Sequence, residues 1–306
     1  MVPIVGLEPE GKGGMRVREL QVTAADGRLL DVVECGEIGD PTVVVHHGTP
    51  GARGLFDGWQ RDAEQKGIRL IGYSRPGYGA STRSPGRSAR QAADDTLAIA
   101  EQLELSKLAT WGYSGGGPHA LSCAALLPDL VVAASTIASV APYGAEGLDF
   151  LAGMGEGNVE EFAAILGGEA VTRPMHEAAV AAMATTVEGV IEEMGSVLSP
   201  PDRAAIREHL GDWMVSLFRE AFEHGADGWI DDDLAFVDPW GFELSEIRVP
   251  LQLWQGQHDL MVPRGHGEWL AAHLPKAEWH YLPDSGHLTL LVDQVPLIHQ
   301  WLLEHF

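Results

Sequence analysis

The stretch that most constrains this chain is Leu108-Ala109-Thr110-Trp111-Gly112-Tyr113-Ser114-Gly115-Gly116-Gly117-Pro118-His119. An apolar run of strand type ends on a serine hemmed in by glycines, and an Ala/Leu-rich segment from Ala120 to Leu127 follows. Gly112-Tyr113-Ser114-Gly115-Gly116 fits the pattern G-x-S-x-G, in which a nucleophilic serine sits on a sharp strand-to-helix turn. Side chains at Gly112 and Gly116 would clash across such a turn. The turn lifts the Ser114 hydroxyl above the sheet edge and aims the first amides of the following helix at a reacting oxygen. Five residues of this kind recur by chance, and the strand before and helix after are what give the motif weight.

The rest of the chain supplies a sheet for that turn. Val17 to Thr23 alternates, Asp26-Gly27 signals a hairpin, and Leu29 to Cys35 returns. Further strands are expected at Thr42 to His46, Ile68 to Tyr73, Leu108 to Tyr113, Leu130 to Ile137, Val249 to Trp254 and Ala277 to Leu282. Helical patterns fall between them at Trp59 to Gln65, Ser88 to Glu104 (with Ser88 as a cap), His266 to His273 and Val295 to Glu304. Strands alternating with helices predict an α/β fold, a mostly parallel sheet flanked by helices. After Pro142 the alternation stops. Helical blocks at Val159 to Leu166, Met175 to Leu198, Pro201 to Leu210 and Trp213 to His224 fill a segment far longer than an ordinary connection. The expected organisation is a flexible leader over 1–15, an α/β core over 16–142 and 239–306, and an inserted helical cap over 143–238.

Composition narrows the partners. A net charge of -24 disfavours nucleic acid and anionic membranes, and no apolar run is long enough to span a bilayer. Met1 to Gly14 lacks the charged and apolar regions of a signal peptide, and Cys35 and Cys123 are too few for a disulfide framework, so a cytoplasmic location is expected. No phosphate loop, dinucleotide fingerprint or metal-binding spacing is present; the adjacent His46 and His47 would point to opposite faces of a strand. The expectation is a small-molecule substrate and neither cofactor nor metal, with the oligomeric state open.

A serine hydroxyl needs a base, and the base a carboxylate that holds its tautomer. Gln255-Gly256-Gln257-His258-Asp259 and Asp284-Ser285-Gly286-His287 follow two late strands and would open on the same sheet edge as Ser114. Asp259 and His287 are the candidates, with Asp284 as an alternative acid. His46, His47, His119 and His258 are expected to brace loops. Ser74 imitates the serine motif but has Pro76 where glycine is needed, and Arg75 is expected in a structural ion pair.

With His47-Gly48-Thr49-Pro50-Gly51, Arg75-Pro76-Gly77-Tyr78-Gly79, the Ser114 motif, Gly256-Gln257-His258-Asp259 and Gly286-His287 in this order, the chain resembles the α/β-hydrolase superfamily from Val17 to Phe306. The likeness is to its serine-nucleophile, esterase- or peptidase-like branch with a helical cap. The resemblance implies that Ser114 attacks an acyl carbon, His287 relays the proton and Asp259 orients His287. It also implies an oxyanion hole from the backbone amides of Gly115 and Thr49, with Gly48 allowing that loop to approach. A serine in place of aspartate favours acyl transfer, and the expected reaction is cleavage of a small to medium, mostly apolar carboxylic ester. Proline iminopeptidase-like chemistry is an alternative, with Glu160, Glu161 or Glu169 holding an amino terminus, although Thr49 and Tyr113-Ser114-Gly115-Gly116 depart from that pattern. Lactone, thioester and carbon–carbon bond hydrolysis, perhydrolysis, and a non-catalytic binding module remain as further alternatives.

Overall fold

Along β3 (Thr42–His46) successive valines fall into different cores: Val43 and Val45 pack with Leu70 and Trp111, whereas Val44 packs with Ile71, Tyr73 and Ile99. This two-residue period, with both faces buried, is what a central strand between two helical layers requires. The computed structural model describes residues 17–183 and 186–306, and the leader expected over 1–15 lies outside them.

The strands are β1 (Val17–Thr23), β2 (Leu29–Cys35), β3, β4 (Arg69–Tyr73), β5 (Leu108–Tyr113), β6 (Val131–Ile137), β7 (Leu251–Gly256) and β8 (Glu278–Leu282). All eight are those expected, with some ends shifted by a residue or two. They form one sheet in the order β1-β2-β4-β3-β5-β6-β7-β8. The pairs β1/β2 and β2/β4 are antiparallel and all others are parallel. The loops after β3, β5, β7 and β8 therefore open on one edge, where sheets of this kind hold ligands. Cys35 and Cys123 belong to the two different hydrophobic clusters, and both are buried free thiols.

Helices Asp57–Lys66 and Val295–Leu303 pack together, and Gln91–Gln102 packs on Gly117–Leu126. Trp59 ties the first of these to the sheet: its ring meets Trp111 edge-on at 4.9 Å, and its Nε1–H donates to the Leu291 carbonyl at 2.7 Å. Ser88 does not cap the next helix, which begins after Arg90; the Arg90 amide donates to the Trp240 carbonyl, so a tertiary contact marks that end.

Between β6 and β7 the segment is helical, as expected, but divided differently. The block expected over Met175 to Leu198 is two helices, Glu169–Met183 and Val187–Glu193, the second capped by the Thr186 side chain, which accepts from the Gly189 amide. A helix not anticipated, Asp227–Val237, closes the segment. Its Gly228 and three consecutive aspartates have the composition of a loop, yet Asp231, Asp232 and Asp233 are all buried. No helix among the described residues is long and apolar enough to cross a membrane.

Candidate active site

The turn after β5 has the geometry its glycines require. Ser114 lies at φ +54°, a left-handed conformation that costs a non-glycine residue roughly 1–2 kcal/mol. A short 3₁₀ turn, Ser114–Gly116, leads into the helix Gly117–Leu126. A Cβ on Gly112 would lie 2.2 Å from the Gly116 carbonyl oxygen, and one on Gly116 would lie 2.1 Å from that of His46. The turn is thus pressed against the end of β3. Thr49, in the loop that follows, sits against Gly115: a Cβ there would come within 2.3 Å of the Thr49 hydroxyl.

Asp259 and His287 meet on the same edge. The His287 Nδ1–H donates to Asp259 Oδ2 at 2.8 Å, which leaves Nε2 with its lone pair. The other Asp259 oxygen accepts from the amides of Met261 at 2.9 Å and Val262 at 2.8 Å, and Gln255 Nε2 donates to Oδ2 at 3.2 Å. His287 and Ser114 line one small cavity of about 50 Å³. Burial disfavours an imidazolium at His287, but the charges of Asp259 and Asp202 outweigh it and hold the pKa above its ordinary 6.5. Asp284 is exposed.

Asp202 was not singled out in the sequence. It lies at the start of the cap helix Pro200–Ala205, fully buried, and its carboxylate reaches down onto the His287 loop. It accepts from the amides of His287 at 3.1 Å, Leu288 at 2.7 Å and Thr289 at 3.3 Å, and from the Ser199 hydroxyl at 2.6 Å. A Cβ on Gly286 would sit 2.4 Å from this carboxylate. Ser199-Pro200-Pro201-Asp202 is an ordinary helix start, so the sequence carried only a capping signal.

Asp232, on the unanticipated helix, does for the Thr49 loop what Asp202 does for the His287 loop. It accepts from Arg75 Nη2 at 2.5 Å, Arg87 Nη1 at 2.5 Å, the Tyr78 hydroxyl at 2.9 Å and the Thr49 hydroxyl at 2.8 Å. Arg75 in turn donates to the carbonyls of His47 at 2.5 Å and Gly48 at 2.9 Å. Arg75 is therefore in the ion pair expected of it. Burial opposes ionisation of Asp232, but Arg75 and Arg87 outweigh that and hold its carboxyl well below 3.8. His47 accepts from the Arg75 amide and His119 bonds the Gly115 carbonyl, so both brace loops; His258 is exposed.

A larger cavity of about 530 Å³ also reaches Ser114 and Thr49. Met154, Phe162, Met175 and Phe236 give it apolar walls, whereas Trp213, Met214, Leu217 and Phe218 line the small one. One wall is polar: Glu161, His176 and Asp233. Burial and the Asp233 charge push the Glu161 carboxyl up to about 8, burial and the Asp232 charge push Asp233 well above its usual range, and burial lowers His176. Glu160 borders the same cavity, while Glu169 is paired with Arg173 at 2.5 Å.

The profile of a family described as alpha/beta hydrolase fold matches residues 41–294. A pimeloyl-[acyl-carrier protein] methyl ester esterase of Nitrosomonas europaea is 25% identical over 266 residues, covering 82% of this chain and 90% of that one. Among solved structures, a thermophilic esterase from Thermogutta terrifontis superposes with a TM-score of 0.66 at 20% identity, covering 94% of this chain and 100% of that one. An enol-lactonase from Burkholderia xenovorans gives 0.64 at 17% identity, covering 94% and 99%.

Proposed function

The chain belongs to the α/β-hydrolase fold family and is an enzyme of the serine-hydrolase class, and on that premise we propose that Ser114, His287 and Asp259 cleave small to medium, mostly apolar carboxylic esters. The observation that carries this reading is the convergence of Ser114 and His287 on one cavity, with His287 held by Asp259 at 2.8 Å.

The chemistry follows from the protonation states. His287 Nε2 takes the hydroxyl proton as Ser114 Oγ bonds to the acyl carbon, and the carbonyl electron pair moves onto oxygen. The amides of Gly115 and Thr49 stabilise that oxyanion, a contribution typically of about 3–4 kcal/mol per donor. Asp259 and Asp202, both held against the His287 loop, favour the imidazolium. It then protonates the departing alkoxide, and the alcohol leaves an acyl-enzyme. Water, deprotonated by His287, attacks the acyl carbon, and the collapse of the second oxyanion returns Ser114 its proton and releases the acid.

The two cavities suggest how an ester lies. About 50 Å³ has room for a group of one or two heavy atoms, about the share of one or two waters, and about 530 Å³ for a much larger one. An ester with one short and one longer apolar arm fits this pair, and the methyl ester named for the Nitrosomonas relative is of that form. A cytoplasmic location accords with the two buried free thiols.

Hydrolysis of p-nitrophenyl esters from acetate to octanoate, with methyl esters and proline p-nitroanilide alongside, tests the proposal. Ester turnover that is lost in Ser114→Ala and peaks at one chain length is the expected result. Turnover of the anilide alone would replace it with an aminopeptidase, and failure of Ser114 to react with a fluorophosphonate would indicate a binding module.

A further inference from the structure

The cap carries a second cluster of chemically capable side chains that ester cleavage does not use. Three helices pack against one another, Glu156–Leu166, Glu169–Met183 and Asp227–Val237, and each contributes one residue: Glu161, His176 and Asp233. His176 Nε2 lies 2.5 Å from Asp233 Oδ2 and 3.6 Å from Glu161 Oε1, and one donor atom from each residue falls within 4.8 Å of the others.

Buried carboxylates elsewhere in the described chain have strong partners. Asp31, Glu34, Asp95, Asp231 and Asp232 each face an arginine, and Asp202 and Asp259 each accept backbone amides. Among the described residues Asp233 makes no ion pair with an arginine or lysine; its polar partner is the His176 imidazole, with the Glu161 carboxyl beside it. Without a countercharge these buried acids keep protons instead of ionising, and a divalent cation held between them would take the place of those protons. His176 makes the same point from the other side. Its side chain has no exposure, its ring lies 4.0 Å from that of Trp229, its Nδ1 has no hydrogen-bond partner, and among the described residues its Nε2 makes polar contacts with these two acids alone. A fully buried imidazole is thus aimed into the cluster with no bond outside it.

We propose that Glu161, His176 and Asp233 form a binding site for one divalent first-row metal ion on the cap wall of the larger cavity. Donors about 2.1 Å from a metal lie about 3.0–3.4 Å from one another in octahedral or tetrahedral geometry. Acceptors about 2.8 Å from an ammonium nitrogen lie about 4.6 Å apart when its N–H bonds are tetrahedral. His176 Nε2 lies 3.6 Å from Glu161, near the first range, and 2.5 Å from Asp233, at hydrogen-bond contact, and both separations fall short of the second range. One imidazole and two carboxylates suit zinc, manganese or iron, and the absence of a thiolate among them disfavours softer ions. Trp229 Nε1–H donates to Glu161 Oε1 at 2.8 Å and fixes that ligand's orientation, as an outer-shell partner should.

The test is calorimetric titration of the chelator-stripped full chain with Zn²⁺ and, separately, Mn²⁺, in the parent and in Ser114→Ala. One saturable equivalent for at least one ion is expected in both proteins, so metal binding is read independently of the nucleophile. Affinity should fall at least tenfold in His176→Gln and in Glu161→Gln, and stay unchanged in Glu160→Gln, which borders the cavity outside the cluster. Far-UV circular dichroism monitors folding. Should His176→Gln not fold, Glu161→Gln carries the decision, because Glu161 is the least buried member of the cluster. No saturable binding of either ion, or equal binding in every variant, overturns the proposal, the latter by placing the ion on other side chains. Thermal stabilisation by an alkylammonium salt with none by metal would overturn it in favour of an organic cation.

Discussion

Replacing Asp202 separates a side chain that holds the proposed base from one that merely fills the cap. Its carboxylate is fully buried and takes three backbone N–H donors from residues 287, 288 and 289. Each buried donor left without an acceptor costs about 1–3 kcal/mol. Allowing for water entering the vacated space, Asp202→Ala is expected to lower the unfolding free energy by about 3–5 kcal/mol. Asp202→Asn keeps the shape and one acceptor oxygen but turns its NH2 toward at least one backbone N–H, and should cost about 2–4 kcal/mol. The change in charge gives a second signature. Esterase activity needs neutral His287, so kcat/KM should rise with pH through the His287 pKa, which lies above 6.5. Asp202 favours the imidazolium, and its neutralisation should move that limb to lower pH while the alkaline plateau is retained. Urea denaturation and a pH profile of p-nitrophenyl ester hydrolysis read the two effects. A limb that does not move in Asp202→Asn, with an unfolding free energy within about 0.5 kcal/mol of the parent in both variants, would refute the reasoning.

Asp259→Asn should shift the same limb further down than Asp202→Asn, because Asp259 makes the larger contribution to His287, and should also lower kcat; equal shifts in the two variants would contradict this. Asp232→Ala strands Arg75 and Arg87 in the interior and should destabilise the protein by about 3–5 kcal/mol in urea denaturation; a loss below about 1 kcal/mol would show that the cap and the Thr49 loop are not held through it. Gly112→Ala places a Cβ 2.2 Å from the Gly116 carbonyl and should abolish labelling of Ser114 by a fluorophosphonate, and normal labelling would show that the turn can relax. Met214→Ala enlarges the small cavity, so the preferred ester should lengthen by one or two carbons on that arm, with an unchanged optimum counting against the assignment of that cavity to substrate.

Much of the fold was legible because its signals are local. Alternation and short apolar runs report strands through side-chain direction, so all eight were readable. The glycines around Ser114 report a backbone path that few other residues can follow, and the order Ser114, Asp259, His287 with a strand before each was enough to place them on one edge. The long stretch without strands announced the cap. Its inner divisions were less legible: the break near Thr186 interrupts a pattern that otherwise continues, and Asp227–Val237 has the composition of a loop.

By itself, then, the amino-acid order determined a parallel sheet, a sharp serine turn, and which loops follow which strands. Only the tertiary structure decided what the acidic residues do. Asp202 fell in an expected helix start and Glu161 stood only as one of three candidates to hold an amino terminus, while His176 and Asp231-Asp232-Asp233 carried no signal of their own. Packing of the cap onto the sheet buries most of this set and gives each a different partner: amides for Asp202, guanidinium groups for Asp231 and Asp232, and the Glu161–His176 pair for Asp233. The reason is physical. A strand or a turn is selected by interactions among near neighbours in sequence, whereas the state of a carboxylate is set by whatever charge and solvent the fold brings to it across 85 residues, as for Asp202 and His287, or 157, as for Arg75 and Asp232.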